Sequence, residues 1–439
     1  MKTKQIKKVL FSEIKAVSNN ITTYCYNPNK DFTRNRKLSA ETIIKGTIGM
    51  ESGSLTNELI DLFHASPDMP TTSAFVQQRN KIKPEAFKTI FERFSEKMIT
   101  AVSNEMAILA VDGSGLQIAT NPKEQESYYP GTDGRKGYNL IHLNALYDLK
   151  HQIYLNAVIQ QKADRNEHKA LQEMVDSSTI HKALIIADRG FESYNNMAHI
   201  QEKGWFFLFR IKDSNVGGIK GALDLPKSDE FDVKISLKLT RKQTNEIKEL
   251  CKNRNYYKYI SSTTSFDYLP IKSQKKESPK FYELNFRIVR FPISENTYEV
   301  LITNLDVSKY PPQKLKELYA LRWGIETSFR DLKYTIGMLN FHSKKVMCIQ
   351  QEIYAHLTMY NFSEMITQHV LIDKKQRQYT YKANFSVAVH MCRKFYHGVT
   401  TSPDLEAIIA RNLVPIRPDR HRERNLTVKV FHGFLYRVA

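Results

Sequence analysis

The sequence predicts an α/β chain, with a layered core that follows a helical region and is interrupted by a β-rich stretch. Three patterns predict it. Apolar runs of strand length follow one another from Met106: AILAVDGSGLQIA, NLIHLNALYDL, YLNAVIQ, ALIIAD and WFFLFRI. Between two of them RNEHKALQEMVDS repeats its apolar residues at helical spacing, so strands and helices alternate as in a layered domain. Ahead of them Leu55, Leu59, Ile60, Leu62 and Phe63, then Phe87, Ile90, Phe91 and Phe94, recur at helical spacing and make residues 1–103 a helical region.

Two loops are expected in that first region. One is CYNPNKDF near Asn27; the other is ASPDMPTTS, where Pro67 and Pro70 end one helix and Thr72 or Ser73 caps the next. The helices around this second loop, the later one being the basic AFVQQRNKI, suggest a helix-turn-helix, although plain packing is the commoner cause of such a pattern. The core is expected in two parts, 104–215 and 306–375, flanking a β-rich insertion at 216–305. In that insertion FDVKISLKL and YELNFRIVRF alternate apolar and polar residues on either side of a KSQKKESPK loop. Helical periodicity returns at Pro312 and continues through QQEIYAHLTMYNFSEMI. Residues 376–439 form a basic C-terminal region, irregular from Arg411, with Arg417, Arg420, Arg422 and Arg424 close together.

Lys and Arg number 65 against 46 Asp and Glu, a formal charge of +19 that raises affinity for a polyanion at physiological salt. Nucleic acid is the leading partner. A membrane surface is the rival, but no run of about 18 apolar residues occurs, and the start MKTKQIKKVLFSEIKAVSN has too short an apolar stretch for a signal peptide. The chain is therefore expected in the cytoplasm, associated with the nucleoid, and not at a membrane. Its cysteines, Cys25, Cys251, Cys348 and Cys392, are too widely spaced for a zinc pair or a disulfide framework and read as small buried hydrophobes.

Two acids are placed by the apolar runs. Ala107–Val111 leads to Asp112, followed by the turn formers Gly113, Ser114 and Gly115; Ala183–Ala187 leads to Asp188, followed by Arg189 and Gly190. Both acids are expected at strand ends, where an α/β sheet fixes a side chain and the loop beyond leaves room for a ligand. Each alone also reads as a turn residue bonding its own backbone. A third element shifts the balance. ELYALRWGIETSFRDLKYTIGML is expected to be one helix, and at roughly 100° per residue Tyr319, Arg322, Glu326 and Lys333 share an arc of about 60°. Leu318, Leu321, Ile325, Leu332 and Ile336 form an adjacent apolar arc that can pack on the sheet. The stripe also fits a solvated face with an Arg322–Glu326 ion pair.

Three carboxylates from distant points in the chain suit phosphodiester chemistry. Two Mg²⁺ ions about 3.5 to 4 Å apart can activate the attacking hydroxyl or water and steady the leaving oxygen, and Mg²⁺ prefers hard oxygen donors. Arg322 and Lys333 then suit flanking phosphates.

The spacing Tyr319, two residues, Arg322, three residues, Glu326, six residues, Lys333 resembles the Tyr-Arg-Glu-Lys motif of bacterial DDE transposases of the insertion-sequence-four type. AVDGSGLQI around Asp112 and IIADRGFESYN around Asp188 are similar to that family's other two acid-bearing motifs, in the same order. The resemblance implies a ribonuclease H-like catalytic core with a β-rich insertion and an N-terminal helical DNA-binding region. It also implies that Asp112, Asp188 and Glu326 are catalytic and hold two Mg²⁺ ions per active site, with Mn²⁺ as a substitute. Tyr319, Arg322 and Lys333 would grip the DNA backbone. A homodimer on double-stranded DNA, holding transposon ends and then target, would nick each end, form and reopen a hairpin, and join the 3′-hydroxyl ends to the target.

Weaker candidates remain. The loop YYPGTDGRKGYNL, with Arg135 and Lys136, suits either a phosphate or a hairpin between strands. Arg189 and Arg210 suit DNA contact or local salt bridges. Trp205 and Trp323 read as packing before base stacking. His142, His168 and His181 show no metal spacing. The rival functions are a ribonuclease H-like nuclease that cuts without joining and a domesticated DNA-binding protein.

Overall fold

Where the chain turns apolar, at Ala107, it enters a large mixed sheet. The computed structural model describes residues 2–34, 36–100, 105–132, 134, 136–271, 280–295, 297–370 and 380–416. Five helices come first: α1 (Thr3–Asn19), α2 (Ala40–Gly49), α3 (Leu55–Leu62), α4 (Thr72–Arg79) and α5 (Pro84–Thr100). The cap of α4 is Thr71, one residue before the expected pair, with its side chain accepting from the Ala74 N–H at 3.2 Å. Then come β1 (Ala107–Ile118), β2 (Tyr128–Tyr129), β3 (Tyr138–Asp148), β4 (Ile153–Gln160), α6 (Glu167–Asp176), β5 (Ala183–Ala187), α7 (Tyr194–Glu202) and β6 (Phe206–Arg210). The stretch read as an insertion carries α8 (Gly218–Gly221), β7 (Phe231–Thr240), α9 (Asn245–Leu250), β8 (Tyr257–Tyr259), β9 (Tyr282–Ser294) and β10 (Thr297–Thr303).

These strands share one sheet of order β2-β3-β1-β5-β6-β10-β9-β7-β8, with β4 also beside β3. β1, β5 and β6 run parallel, and β10 joins them antiparallel with Leu301 opposite Arg210. The β-rich stretch is thus an extension of the core sheet. Side chains alternate between faces along a strand, and the burial follows. Ile185 and Ala187 pack under α6 and α7 with Leu171, Met174 and Met197, while Leu184 and Ile186 pack on the opposite face with Leu315 and Tyr319. The sheet therefore lies between two helical layers.

That opposite layer is α10 (Pro312–Ala320), α11 (Trp323–Tyr334) and the 24-residue α12 (Val346–His369). The last is buried almost all round, which is why it shows no amphipathic stripe. Its Asn361 ties it to β4, accepting the Tyr154 N–H at 2.8 Å and donating to the Tyr154 carbonyl at 2.6 Å. After β11 (Thr380–Ala383), α13 (Phe385–Tyr396) and α14 (Ser402–Arg411) pack with α1 around α12, and β12 (Leu413–Ile416) pairs with β11. The C-terminal region is therefore partly helical core. The arginines Arg417, Arg420, Arg422 and Arg424, and the KSQKKESPK loop before Lys280, lie outside the described residues.

Helix α12 also carries a buried acid. Burial and the neighbouring Asp331 push the Glu364 carboxyl up to about 8, against the pull of Gln368 and Lys382. An unfolded Glu titrates near 4.3, so between these values the unfolded chain releases a proton that the folded chain keeps. The stabilising contribution is complete below about pH 4.3 and is lost as pH rises through about 8, at up to about 1.4 kcal/mol per pH unit. Glu364→Gln should flatten the fall of the urea midpoint between pH 5.5 and 8, and an unchanged slope would contradict the assignment.

Candidate active site

Asp112 is not at a strand end. It lies in the middle of β1, which pairs with β3 from Leu109 to Ile118. Gly113 and Gly115 do not turn the chain; they make room for the next strand, since a Cβ on Gly113 would come within 2.5 Å of His142 Nε2. β1 loses its other neighbour here: pairing with β5 is recorded from Ala107 to Ala110, opposite Ala183 to Ile186. Two residues further in the same register, Asp112 stands level with Asp188, which follows the last residue of β5 as the sequence predicts. Ala187 in turn pairs with Phe209, which sets Asp188 level with Arg210 at the end of β6. By alternation Asp112, Asp188 and Arg210 face the layer of α10 and α11.

The long helix expected over this layer is two helices. Between them Leu321, Arg322, Gly324 and Ile325 each donate to the carbonyl three residues back, a tightened turn that ends α10 and starts α11. This corrects the single stripe. Leu321 leaves the apolar arc and is 46% exposed, whereas Arg322 is driven inward to 4%. Arg322 pairs with Glu326 at 2.8 Å and lies over the rings of Trp323 and Tyr319, 5.0 and 5.8 Å from their centroids. Trp205 is buried as expected, but Trp323 is 47% exposed because the break turns it out. Lys333 donates to the Gly115 carbonyl of β1 at 3.4 Å.

The charges meet. Burial raises the Asp112 carboxyl to about 6; the Gly113 N–H and Arg322 oppose this, while the negative charges of Glu326 and Asp188 add to it. The three acids thus share one electrostatic neighbourhood. Each is held by a local donor: Asp112 by the Gly113 N–H at 2.8 Å, Asp188 by the Arg189 N–H at 2.6 Å, and Glu326 by Arg322. Among the described residues no three His, Cys, Asp or Glu side chains are gathered closely enough to hold a metal ion as they stand. What the three acids share is donor chemistry: hard carboxylate oxygens of like charge, the type that divalent cations take together with water and substrate. Two buried polar atoms beside these acids, the Tyr319 hydroxyl and Arg322 Nε, have no hydrogen-bond partner among the described residues, an arrangement that costs stability unless a ligand satisfies them.

The weaker candidates divide. Arg210 pairs with Glu299 at 3.4 Å, a partner the sequence reading did not single out, and Arg189 is exposed on the short turn after Asp188. The Tyr128–Tyr129 end of the glycine-rich loop pairs with β3, which makes that loop a hairpin; Arg135 lies outside the described residues. His142 faces Glu167 at 3.0 Å and His168 faces Asn196 at 2.7 Å, both local contacts. All four cysteines are free thiols, three buried and Cys251 partly so. No helix among the described residues is long and apolar enough to cross a membrane.

The mixed α/β sheet thus turns Asp112 and Asp188 toward the helical layer that carries the Arg322–Glu326 pair. The family model described as Transposase DDE domain matches residues 103–362, so the chain belongs to the DDE transposases. Its relatives are insertion-sequence transposases of the insertion-sequence-four type. The transposase for insertion sequence element IS231B of Bacillus thuringiensis subsp. berliner is 22% identical over 444 residues, covering 92% of this chain and 90% of that protein. Transposase InsG for insertion sequence element IS4 of Escherichia coli (strain K12) is 20% identical over 340 residues, covering 75% of this chain and 70% of that protein. A cryo-EM structure of a piggyBac transposase synaptic complex with hairpin DNA covers 95% of this chain and 86% of that chain, at 12% identity. Its TM-score of 0.43 is too low to carry an argument.

Proposed function

We propose that this chain is a cut-and-paste transposase with a ribonuclease H-like core, which cleaves the double-stranded ends of its element and joins their 3′-hydroxyls to target DNA at one site. The observation that carries the reading is the electrostatic neighbourhood that Asp112 shares with Asp188 and Glu326, beside two buried donors, Tyr319 and Arg322, without a partner among the described residues. The three carboxylates would hold two Mg²⁺ ions, with Mn²⁺ as a substitute, which when bound supply Lewis-acid activation of the attacking and leaving oxygens. The chain's own groups then do the positioning. Arg322, already inside the protein, offers Nε to a phosphate oxygen, and the Tyr319 hydroxyl offers a second donor on the same side. Lys333 brings a point charge to the β1 side. Arg189 and Arg210 extend the cationic rim beyond Asp188 toward the flanking backbone. Residues 1–103 are proposed to bind the element's ends within a homodimer, and the second strand is proposed to leave through a hairpin.

The test is a labelled duplex carrying the element's terminal repeats, incubated with Mg²⁺ or with EDTA, with nicked, hairpin and joined products resolved together. Metal-dependent nicks and joined product are expected. Nicks alone would point to a nuclease, and binding without cleavage to a domesticated DNA-binding protein. Binding itself should weaken steeply with salt, log K falling by about 0.9 per phosphate neutralised for each tenfold rise in salt, and a flat response would remove the argument from net charge.

A further inference from the structure

One more acid stands at this site without a role. Glu299 is on β10, two residues before Leu301, which pairs with Arg210. Alternation therefore gives Glu299 the face of Leu301, which packs with Leu208, Ile186 and Tyr319. Its carboxylate meets Arg210 Nε at 3.4 Å, and its side chain is 12% exposed against 33% for Arg210. Burial pushes its carboxyl up, with Arg210, Arg322 and Lys316 pulling the other way and Asp188 repelling it. Glu299 thus meets Arg210 from β10, while Asp188, at the end of β5, stands level with the same arginine, and both acids act on Arg322.

We infer that Glu299 is a positioning residue: it holds the Arg210 guanidinium beside Asp188, so that Arg210 meets a DNA phosphate instead of folding onto the Asp188 carboxylate. This rests on the transposase reading of the same site. An arginine next to a free carboxylate forms a strong fork-like pair, and such a pair would neutralise an acid that the reaction needs charged. Contact through Nε leaves other N–H donors of the guanidinium for a phosphate. A half-buried acid on a strand is well placed to fix the group, because Glu299 is itself paired with Phe291 of β9 and the strand joins β6 from Leu301 onward.

The test is a double-mutant cycle of Glu299→Gln and Arg210→Ala. DNA binding is read in EDTA, and cleavage is read in Mg²⁺ at saturating DNA. Loss of the Glu299 charge lets the Arg210 guanidinium turn onto Asp188 and away from the DNA. Glu299→Gln should therefore bind more weakly, with a salt slope shallower by up to about 0.9, while its cleavage rate falls about tenfold and its thermal midpoint stays unchanged. In the Arg210→Ala background the same change should cost no further rate, since a residue that acts through another loses its effect when that other is gone. A merely structural role would lower binding, rate and thermal midpoint together and would overturn the inference, as would an unchanged rate or losses that add across the cycle. Absence of cleavage by the natural chain would instead sink the transposase reading, and this role with it.

Discussion

Glu326→Gln should lower the rate of metal-dependent cleavage by about a thousandfold or more while leaving DNA binding in EDTA at least as tight. At 1.36 kcal/mol per tenfold, that is roughly 4 kcal/mol of transition-state stabilisation. Glutamine keeps the shape of the side chain and an acceptor for Arg322, which pairs with Glu326 at 2.8 Å. What it removes is one negative charge from a set of three whose mutual repulsion is visible at Asp112, a carboxyl raised to about 6 in part by Glu326 and Asp188. A site that gathers like charges gains nothing from them without cations, so their removal should cost little stability and nearly all activity. The variant must be compared at equal folded concentration and across Mg²⁺ and Mn²⁺. Cleavage by Glu326→Gln at the natural rate would take Glu326 out of the site, and loss of binding in step with cleavage would mean that the helix, and not the charge, had been damaged.

How much of this was legible depends on the range of the forces involved. Asp188 is readable because a five-residue apolar strand ends on it, a local fact. Asp112 is misread because Gly113 and Gly115 look like turn formers, while their true use is steric accommodation of His142 and Leu140 from β3, partners that a linear pattern does not reveal. The break at Arg322 is hidden for a related reason. A tightened turn of i to i−3 bonds shifts side chains by a fraction of a turn, too little to disturb a periodicity averaged over the segment, yet enough to bury Arg322 and expose Leu321 and Trp323. Glu299 looks like the solvent side of an alternating strand, and only the pairing of β10 with β6 turns it toward the site.

The helical region shows the same limit more sharply. AFVQQRNKI reads as a basic, polar helix for which plain packing is the commoner cause and DNA reading the alternative. Arg79 is in fact 3% exposed, with Nε donating to Gln351 Oε1 at 2.7 Å, one terminal nitrogen to Glu352 Oε1 at 2.9 Å and the other to the Cys348 carbonyl at 2.5 Å. Its carboxylate partner is 273 positions away along the chain. No local pattern could report that pairing, although a charged residue buried among apolar neighbours always needs one.

Replacing Arg79 by leucine should therefore destabilise the protein by about 3 to 5 kcal/mol, the usual consequence of leaving the other half of a buried ion pair alone. Glu352 is 1% exposed, and its carboxyl, pushed up by burial, is nonetheless held well below the ordinary carboxylate range by Arg79 and His342. The backbone N–H of His342 donates to it at 2.9 Å, and the His342 ring faces it at 3.1 Å while its other nitrogen faces Glu58 at 3.5 Å. This network joins α3 and α4 to α12 and to the segment that follows the Glu326 helix, so it couples the N-terminal helices to the core that carries the candidate site. Without Arg79 the Glu352 carboxyl should move up, and the deficit should shrink as pH falls and the acid is neutralised. An Arg79→Leu, Glu352→Leu double variant should recover most of the loss, because an apolar pair of similar volume carries no uncompensated charge. Urea denaturation of the natural chain and the two variants at pH 5 and 7.5 measures each step. If Arg79→Leu instead kept full stability and weakened DNA binding, the helix α4 would be a DNA-reading element after all, and the packing account of this pair would be wrong.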